Sequence, residues 1–261
     1  MTTIKISNKP LPEIAKRYCR VVLTEHKPSW HRLVETADET LEYRLGAGKW
    51  AEIDARGFRR LVRRMVRAAQ AHQIEYLAVQ LQDSPFPKLA SYGDEWVVRT
   101  LAENLSLAAY EFCKYKSNAK ATEGLREIVV CGGMSAAEKR SFSAGLTIAE
   151  ATNTTRDIAN TAGVDMTPSK LAKAAQNAMK GTKATVKVLG SAEIKKEKMG
   201  LLEVVGKGAS DKPRLIVIEY WGKGKPKKGT KKAAPIALIG KGITYDSGGL
   251  NVKPSGAMHD M

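Results

Sequence analysis

The hydrophobic positions of the chain alternate between two periods. Cys19 to Leu23 is a short run rich in β-branched residues, followed by a turn at Lys27-Pro28-Ser29, and it predicts a strand. From Arg56 to His72 the apolar residues Phe58, Leu61, Val62, Met65, Val66 and Ala69 recur at helical spacing, with arginines filling the other face. Ile74 to Leu81 predicts a second strand, and Ser84-Pro85-Phe86-Pro87 a loop. Asp94 is placed to cap a long helix running to about Lys114, with Trp96, Val97, Leu101, Leu105 and Ala108 on one stripe. Arg126 to Cys131 is a buried-type strand closed by Gly132-Gly133. This order of strand, helix, strand, helix, strand predicts an α/β fold.

Further along, Ser135 and Glu138 have the spacing of a capping box, opening a helix to about Ala162. Thr167-Pro168-Ser169 starts another helix to Met179, with proline in its first turn. Thr185 to Leu189, Arg214 to Tyr220 and Pro235 to Ile239 read as strands, the last two apolar enough for a covered sheet. The domain division that follows is residues 1–134, a connecting helix over 135–162, and a second domain over 163–261.

Composition narrows the picture only in part. With 261 residues, 43% hydrophobic and 27% charged, the chain has globular content and length for a sizeable core. Cys19, Cys113 and Cys131 are widely spaced, form no CxxC and imply no disulfide framework, which fits a reducing compartment. The first residues lack the apolar centre of a signal peptide, and no run is long enough to span a bilayer, so a soluble cytoplasmic protein without membrane contact is expected. The net charge of +16 has two visible sources. One is the helix face of Arg56, Arg59, Arg60, Arg63, Arg64 and Arg67; the other is the lysine-rich run from Gly222 to Lys232. Both permit contact with nucleic acid, but on the helix no aromatic residues interleave as on a stacking platform and a solvated or subunit-contacting face is favoured, while the lysine run reads as a flexible surface loop, a solvated hairpin tip.

Candidate chemistry lies near the C-terminus. Gly240-Lys241-Gly242-Ile243-Thr244-Tyr245-Asp246-Ser247-Gly248-Gly249 leads on to Lys253-Pro254, placing two lysines and an aspartate among four glycines just after an apolar run. Asp246 is a hard ligand for a divalent ion, Lys241 can lose its proton and ligate as a neutral amine, and Lys253 can stay charged and polarise a carbonyl. The same spacing also suits a phosphate-cradling glycine loop or a solvated turn. One carboxylate cannot hold a metal.

This segment, with Ser255, Met258 and Met261 after it, resembles the active-site segment of the leucyl aminopeptidase family, the two-metal cytosolic aminopeptidases. Thr155-Arg156-Asp157-Ile158-Ala159-Asn160 with Thr167-Pro168 is similar to the family's segment before its catalytic domain, and a weaker likeness runs through Glu103 to Phe112 and Tyr115-Lys116. The resemblance implies a small macro-like α/β domain first, then the start of an α/β catalytic domain with a mostly covered mixed sheet. It makes Lys241 and Asp246 metal ligands, Lys253 the catalytic lysine, and Met261 part of the pocket for the substrate's N-terminal side chain. It further implies two divalent ions, Mn2+ or Zn2+, with bicarbonate as base, peptide substrates and assembly as a homo-hexamer. The family's remaining aspartate and its Asp-x-Glu-x-Arg segment have no counterpart here: Asp260 falls out of register with that aspartate, and His259 stands where the family commonly has an acidic residue. The expectation is therefore the N-terminal part of a longer metalloaminopeptidase, inactive by itself. The alternatives are an inactive relative serving in binding or assembly, and a basic nucleic-acid-binding protein.

Overall fold

In the computed structural model of the protein, residues 2–81, 86–117, 124–222, 224, 235–249 and 251–259 are described. The chain divides into two compact units, Met1–Arg156 and Asp157–Met261.

The first unit is built on a six-stranded sheet. Its strands are β1 (Thr3–Ser7), β2 (Cys19–Thr24), β3 (His31–Glu35), β4 (Leu41–Gly46), β5 (Tyr76–Val79) and β6 (Glu127–Cys131), in the spatial order β1-β6-β5-β2-β4-β3. Every neighbouring pair is parallel except the β3/β4 hairpin, which closes one edge. Among the described residues the α-helices of this part of the chain are α1 (Ala55–Ala71), α2 (Asp94–Ala109) and α3 (Ala136–Asn160), the last crossing the division between the units.

Period-two burial decides which side of the sheet carries the main core. Val21, Tyr43, Leu45, Leu77, Val79, Ile128 and Val130 meet the buried stripe of α1 and Leu101, Ala102 and Leu105 of α2. All six apolar positions expected of α1 are buried, and Asp54 caps the helix by accepting a hydrogen bond from the Gly57 N–H. On the opposite side Ala78, Val129 and Cys131 pack with Tyr18, Leu11, Ile14 and Tyr76. There the Tyr18 hydroxyl and Lys5 Nζ both donate to the Glu127 carboxylate, the latter at 2.6 Å, tying β1 and the lead-in to β2 onto β6.

Several sequence expectations are adjusted. The second helix ends at Ala109, because Tyr110 is extended at φ −65°, ψ 129°. Its cap is Gly93 at φ 77°, and Asp94 is the first helical residue. The capping box does form, the Ser135 N–H bonding Glu138 Oε2 at 2.7 Å and the Glu138 N–H bonding Ser135 Oγ at 3.2 Å. Cys19 and Cys131 are buried, and desolvation pushes their thiols up to about 12 and about 11, so neither is poised as a nucleophile.

The arginine face is only partly free for a partner. Arg63 Nε donates to Asn104 Oδ1 at 2.8 Å, Arg64 donates to the Gly46 and Pro28 carbonyls, and Arg59 lies 5.4 Å from the Trp96 ring centre. These contacts join α1 to α2, to the end of β4 and to the loop between β2 and β3. Among the described residues no helix is long and apolar enough to cross a membrane.

The second unit contains α4 (Pro168–Ala178), β7 (Thr185–Leu189), α5 (Ser191–Lys196), α6 (Gly200–Val205), β8 (Leu215–Glu219) and α7 (Ser255–His259). β7 and β8 form an antiparallel pair. Pro235 to Ile239, expected as a strand, has no strand pairing, and Ile236, Leu238 and Ile239 are 90%, 94% and 98% exposed. An apolar run becomes a strand when a neighbouring strand and a covering surface receive it, and the described residues bring neither to this segment. Lys241 therefore follows a stretch without strand pairing instead of a strand end.

α4 is capped from a distance. Thr167 makes no side-chain cap, and the Ser169 N–H and Oγ instead donate to Asp211 Oδ2 at 2.9 and 2.6 Å. Those hydrogen bonds hold the Asp211 carboxyl down at about 2 from its usual 3.8.

Two measurements test this packing. A Cβ on Gly145 would lie 2.3 Å from the Arg99 carbonyl oxygen, so Gly145→Ala should push α3 off α2 and lower unfolding stability by about 1–3 kcal/mol in denaturant titrations. Asp211→Asn should lower stability by about 1 kcal/mol above the ordinary carboxylate range. Because the folded value is depressed, that difference should vanish as pH falls from 3.8 through about 2.

Candidate functional site

The segment that carries the candidate chemistry is shaped by its glycines. Gly248 and Gly249 both take positive φ, 90° and 66°, and a Cβ on Gly248 would sit 2.3 Å from the Asn251 carbonyl oxygen. This turn folds the chain back so that the Lys253 N–H bonds the Ser247 carbonyl at 3.0 Å. Lys253 is thereby returned to Asp246, seven residues earlier.

Lys253 Nζ donates to the Asp246 backbone carbonyl at 2.6 Å and pairs with Asp246 Oδ2 at 2.8 Å. The second carboxylate oxygen, Oδ1, accepts the Gly248 N–H at 3.0 Å. The hydrogen bond from Lys253, then that from Gly248, hold the Asp246 carboxyl below its usual value, and the charge of Lys241 adds a smaller contribution. The structure thus brings Lys253 and Asp246 into contact, with Lys241 close enough to act on Asp246 through space.

The segment is backed by residues that its own sequence does not announce. A Cβ on Gly163 would meet the Thr244 carbonyl oxygen at 2.8 Å, and one on Gly242 would meet Leu171 Cδ2 of α4 at 3.3 Å. The stretch containing Thr167-Pro168 is therefore packed against the glycine-rich stretch, although far from it along the chain. Tyr245 donates its hydroxyl to Met258 Sδ at 3.3 Å, fastening α7 to the same segment.

Met261 and Asp260, and the side chain of His259, lie outside the described residues, as does most of the lysine run from Gly222 to Lys232. Among the described residues no three His, Cys, Asp or Glu side chains gather in a metal-binding group. One carboxylate and one amine fall short of the ligand set of a divalent ion, so the described residues do not fit a complete metal centre.

An α/β chain whose second unit folds such a lysine–aspartate turn can be compared with known proteins. The catalytic domain of the cytosol aminopeptidase family matches residues 153–261, and that family's N-terminal domain matches residues 43–119. A probable cytosol aminopeptidase of Nitrosospira multiformis is 30% identical over 83% of this chain, and one of Paraburkholderia phymatum is 31% identical over the same share. The chain spans 42% of the length of both. Its fold is similar to the bottromycin maturation enzyme BotP in complex with Mn (TM-score 0.69, 23% identity, 99% of this chain and 52% of that one). It is also similar to a lysine-to-glutamate mutant of tomato leucine aminopeptidase (TM-score 0.75, 17% identity, 95% of this chain and 55% of that one). The chain belongs to the cytosol aminopeptidase family.

Gly248→Ala tests the turn. The added Cβ and the positive φ together should open the Ser247–Lys253 bond, speeding hydrogen exchange of the Lys253 amide by about tenfold or more.

Proposed function

We propose that this chain contributes part of the active centre of a metal-dependent aminopeptidase that hydrolyses N-terminal, leucine-like residues from peptides. Lys241 and Asp246 are metal ligands, Lys253 is the catalytic lysine, and Met261 lines the pocket for the N-terminal side chain. The ions are two Mn2+ or Zn2+, with bicarbonate as base, and the working form is a cytoplasmic homo-hexamer. The observation that carries this reading is the Lys253 ammonium held at 2.8 Å from the Asp246 carboxylate by a glycine turn, within a stretch matched by the family's catalytic domain.

Family membership supports the reaction class, and the manganese bound to BotP, a relative in fold, supports a divalent ion. The remaining carboxylates of a complete centre have to come from outside the described residues. What this chain's own groups do follows from their chemistry. Lys253 presents an N–H donor and a positive charge to an oxygen on which negative charge develops, and the turn fixes it beforehand so that little reorganisation is needed. The alternative, a catalytically silent relative that binds or assembles, shares every contact described and differs only in turnover. A nucleic-acid role has the exposed arginines Arg56, Arg60 and Arg67 in its favour.

A fusion of residues 1–261 to the remainder of the Nitrosospira multiformis relative tests the assignment. With manganese it should release 4-nitroaniline from leucyl-4-nitroanilide, whereas residues 1–261 alone should not. Lys253→Ala should lower kcat by about 10²–10³-fold with KM little changed. Asp246→Ala should abolish turnover and reduce bound metal. A folded, metal-loaded fusion without turnover sinks the aminopeptidase reading in favour of the silent relative.

A further inference from the structure

The arginine row of α1 has no aromatic residues along its own face, and the fold supplies them from another part of the chain. At 100° per residue Arg56, Arg60, Arg63 and Arg67 fall within about 60° of one another, a ridge about 16 Å long with a guanidinium at every turn. All four are exposed, and among the described residues the side chains of Arg56, Arg60 and Arg67 make no hydrogen bond or ion pair. Several acids near the ridge are engaged: Glu52 pairs with Lys49, Asp54 accepts from the Gly57 N–H, and Glu95 accepts from Ser141 Oγ. Beside the ridge, Arg59 sets its guanidinium 5.4 Å from the Trp96 ring centre, and the Tyr92 ring stacks on Trp96 with centres 4.5 Å apart. Tyr92 is 51% exposed. The Gly57 N–H chiefly, with smaller shares from Lys88 and Arg56, holds the Asp54 carboxyl below its usual value, which puts Lys88, on the same short turn as Tyr92, beside the head of α1.

We propose that this ridge and the exposed Tyr92 ring form a binding surface for single-stranded nucleic acid, the arginines taking phosphates and Tyr92 the face of a base. The surface lies wholly within the first unit, and the inference stands whether or not the aminopeptidase reading does. Charge selects a polyanion as the occupant, because a chain of net charge +16 repels a second copy of itself. The ring then selects among polyanions. A base in a single strand has a π-face open for stacking, whereas the bases of a duplex are already stacked on one another and an acidic peptide has no such face to offer. Tyr92 is held in advance by its stack on Trp96, which is itself packed against the core, so little side-chain freedom is lost on binding.

Fluorescence anisotropy of a labelled single strand of about 12 nucleotides, titrated with the 261-residue chain from about 50 to 200 mM salt, tests the surface. The strand should bind more tightly than a duplex of the same sequence. Arg56→Gln, Arg60→Gln and Arg67→Gln combined should weaken binding about tenfold or more and flatten the slope of log K against log salt by about 2, the share of three phosphate contacts. Tyr92→Leu keeps the apolar cover of Trp96 and loses the π-face; it should weaken binding roughly 5- to 150-fold with the slope unchanged, while Tyr92→Phe stays near wild type. A far-UV spectrum and thermal midpoint like those of wild type show that each variant folds. No binding at the lowest salt, or a slope unchanged in the folded triple variant, overturns the proposal. Equal affinity for duplex together with an indifferent Tyr92→Leu overturns the single-strand assignment and leaves a ridge that takes any polyanion. Displacement of the strand by poly-glutamate at equal charge concentration overturns it in favour of an acidic polypeptide.

Discussion

The chemistry of the second unit depends on one contact, an ammonium held against a carboxylate by a backbone that only glycine adopts without strain. Remove the positive φ at Gly248 and the chain cannot reverse within the available residues, so Lys253 and Asp246 part. Everything around the turn serves that reversal: Gly163 and Gly242 let the segment lie close to its neighbours, and Tyr245 fastens it to α7 through Met258. The energy in the ion pair itself is small, because water reaches both partners. Its value lies in placement, since a charge already positioned needs little reorganisation when substrate charge develops.

Much of the first unit was legible from periodicity. α1 shows why: a helix with one wide apolar stripe and arginines elsewhere has one way to be buried, and all six stripe residues are. β1, β3 and β4 were not foreseen. Thr3–Ser7 and the charged segment His31–Glu35 are short and mostly polar, and become strands through pairing with β6 and β4. The end of α2 was overrun because no glycine or proline marks it in the sequence, while the backbone turns extended at Tyr110.

At the site, the glycine pair between Asp246 and Lys253 is a local signal, and local signals survive in sequence. The backing contacts do not, because Gly163, Leu171 and Asp211 act across long separations and look ordinary where they stand. The arginine face teaches the reverse lesson. A row of like charges suggests an outside partner, yet Arg63 and Arg64 are drawn onto the protein's own carbonyl and amide oxygens, and burial lowers the Arg64 guanidinium from its ordinary value.

Pro235 to Ile239 has a consequence for the behaviour of the polypeptide in solution. Its apolar side chains, all but fully open to water, have the composition that drives chains to stack strand upon strand into fibrils. The flanking sequence counters this: Pro235 interrupts a ladder at its first rung, and Lys231 and Lys232 place like charges beside it. One imino acid and two amines beside a sticky pentapeptide are the residue types that oppose such stacking, and added electrolyte weakens the amines' share of that opposition by screening their like charges.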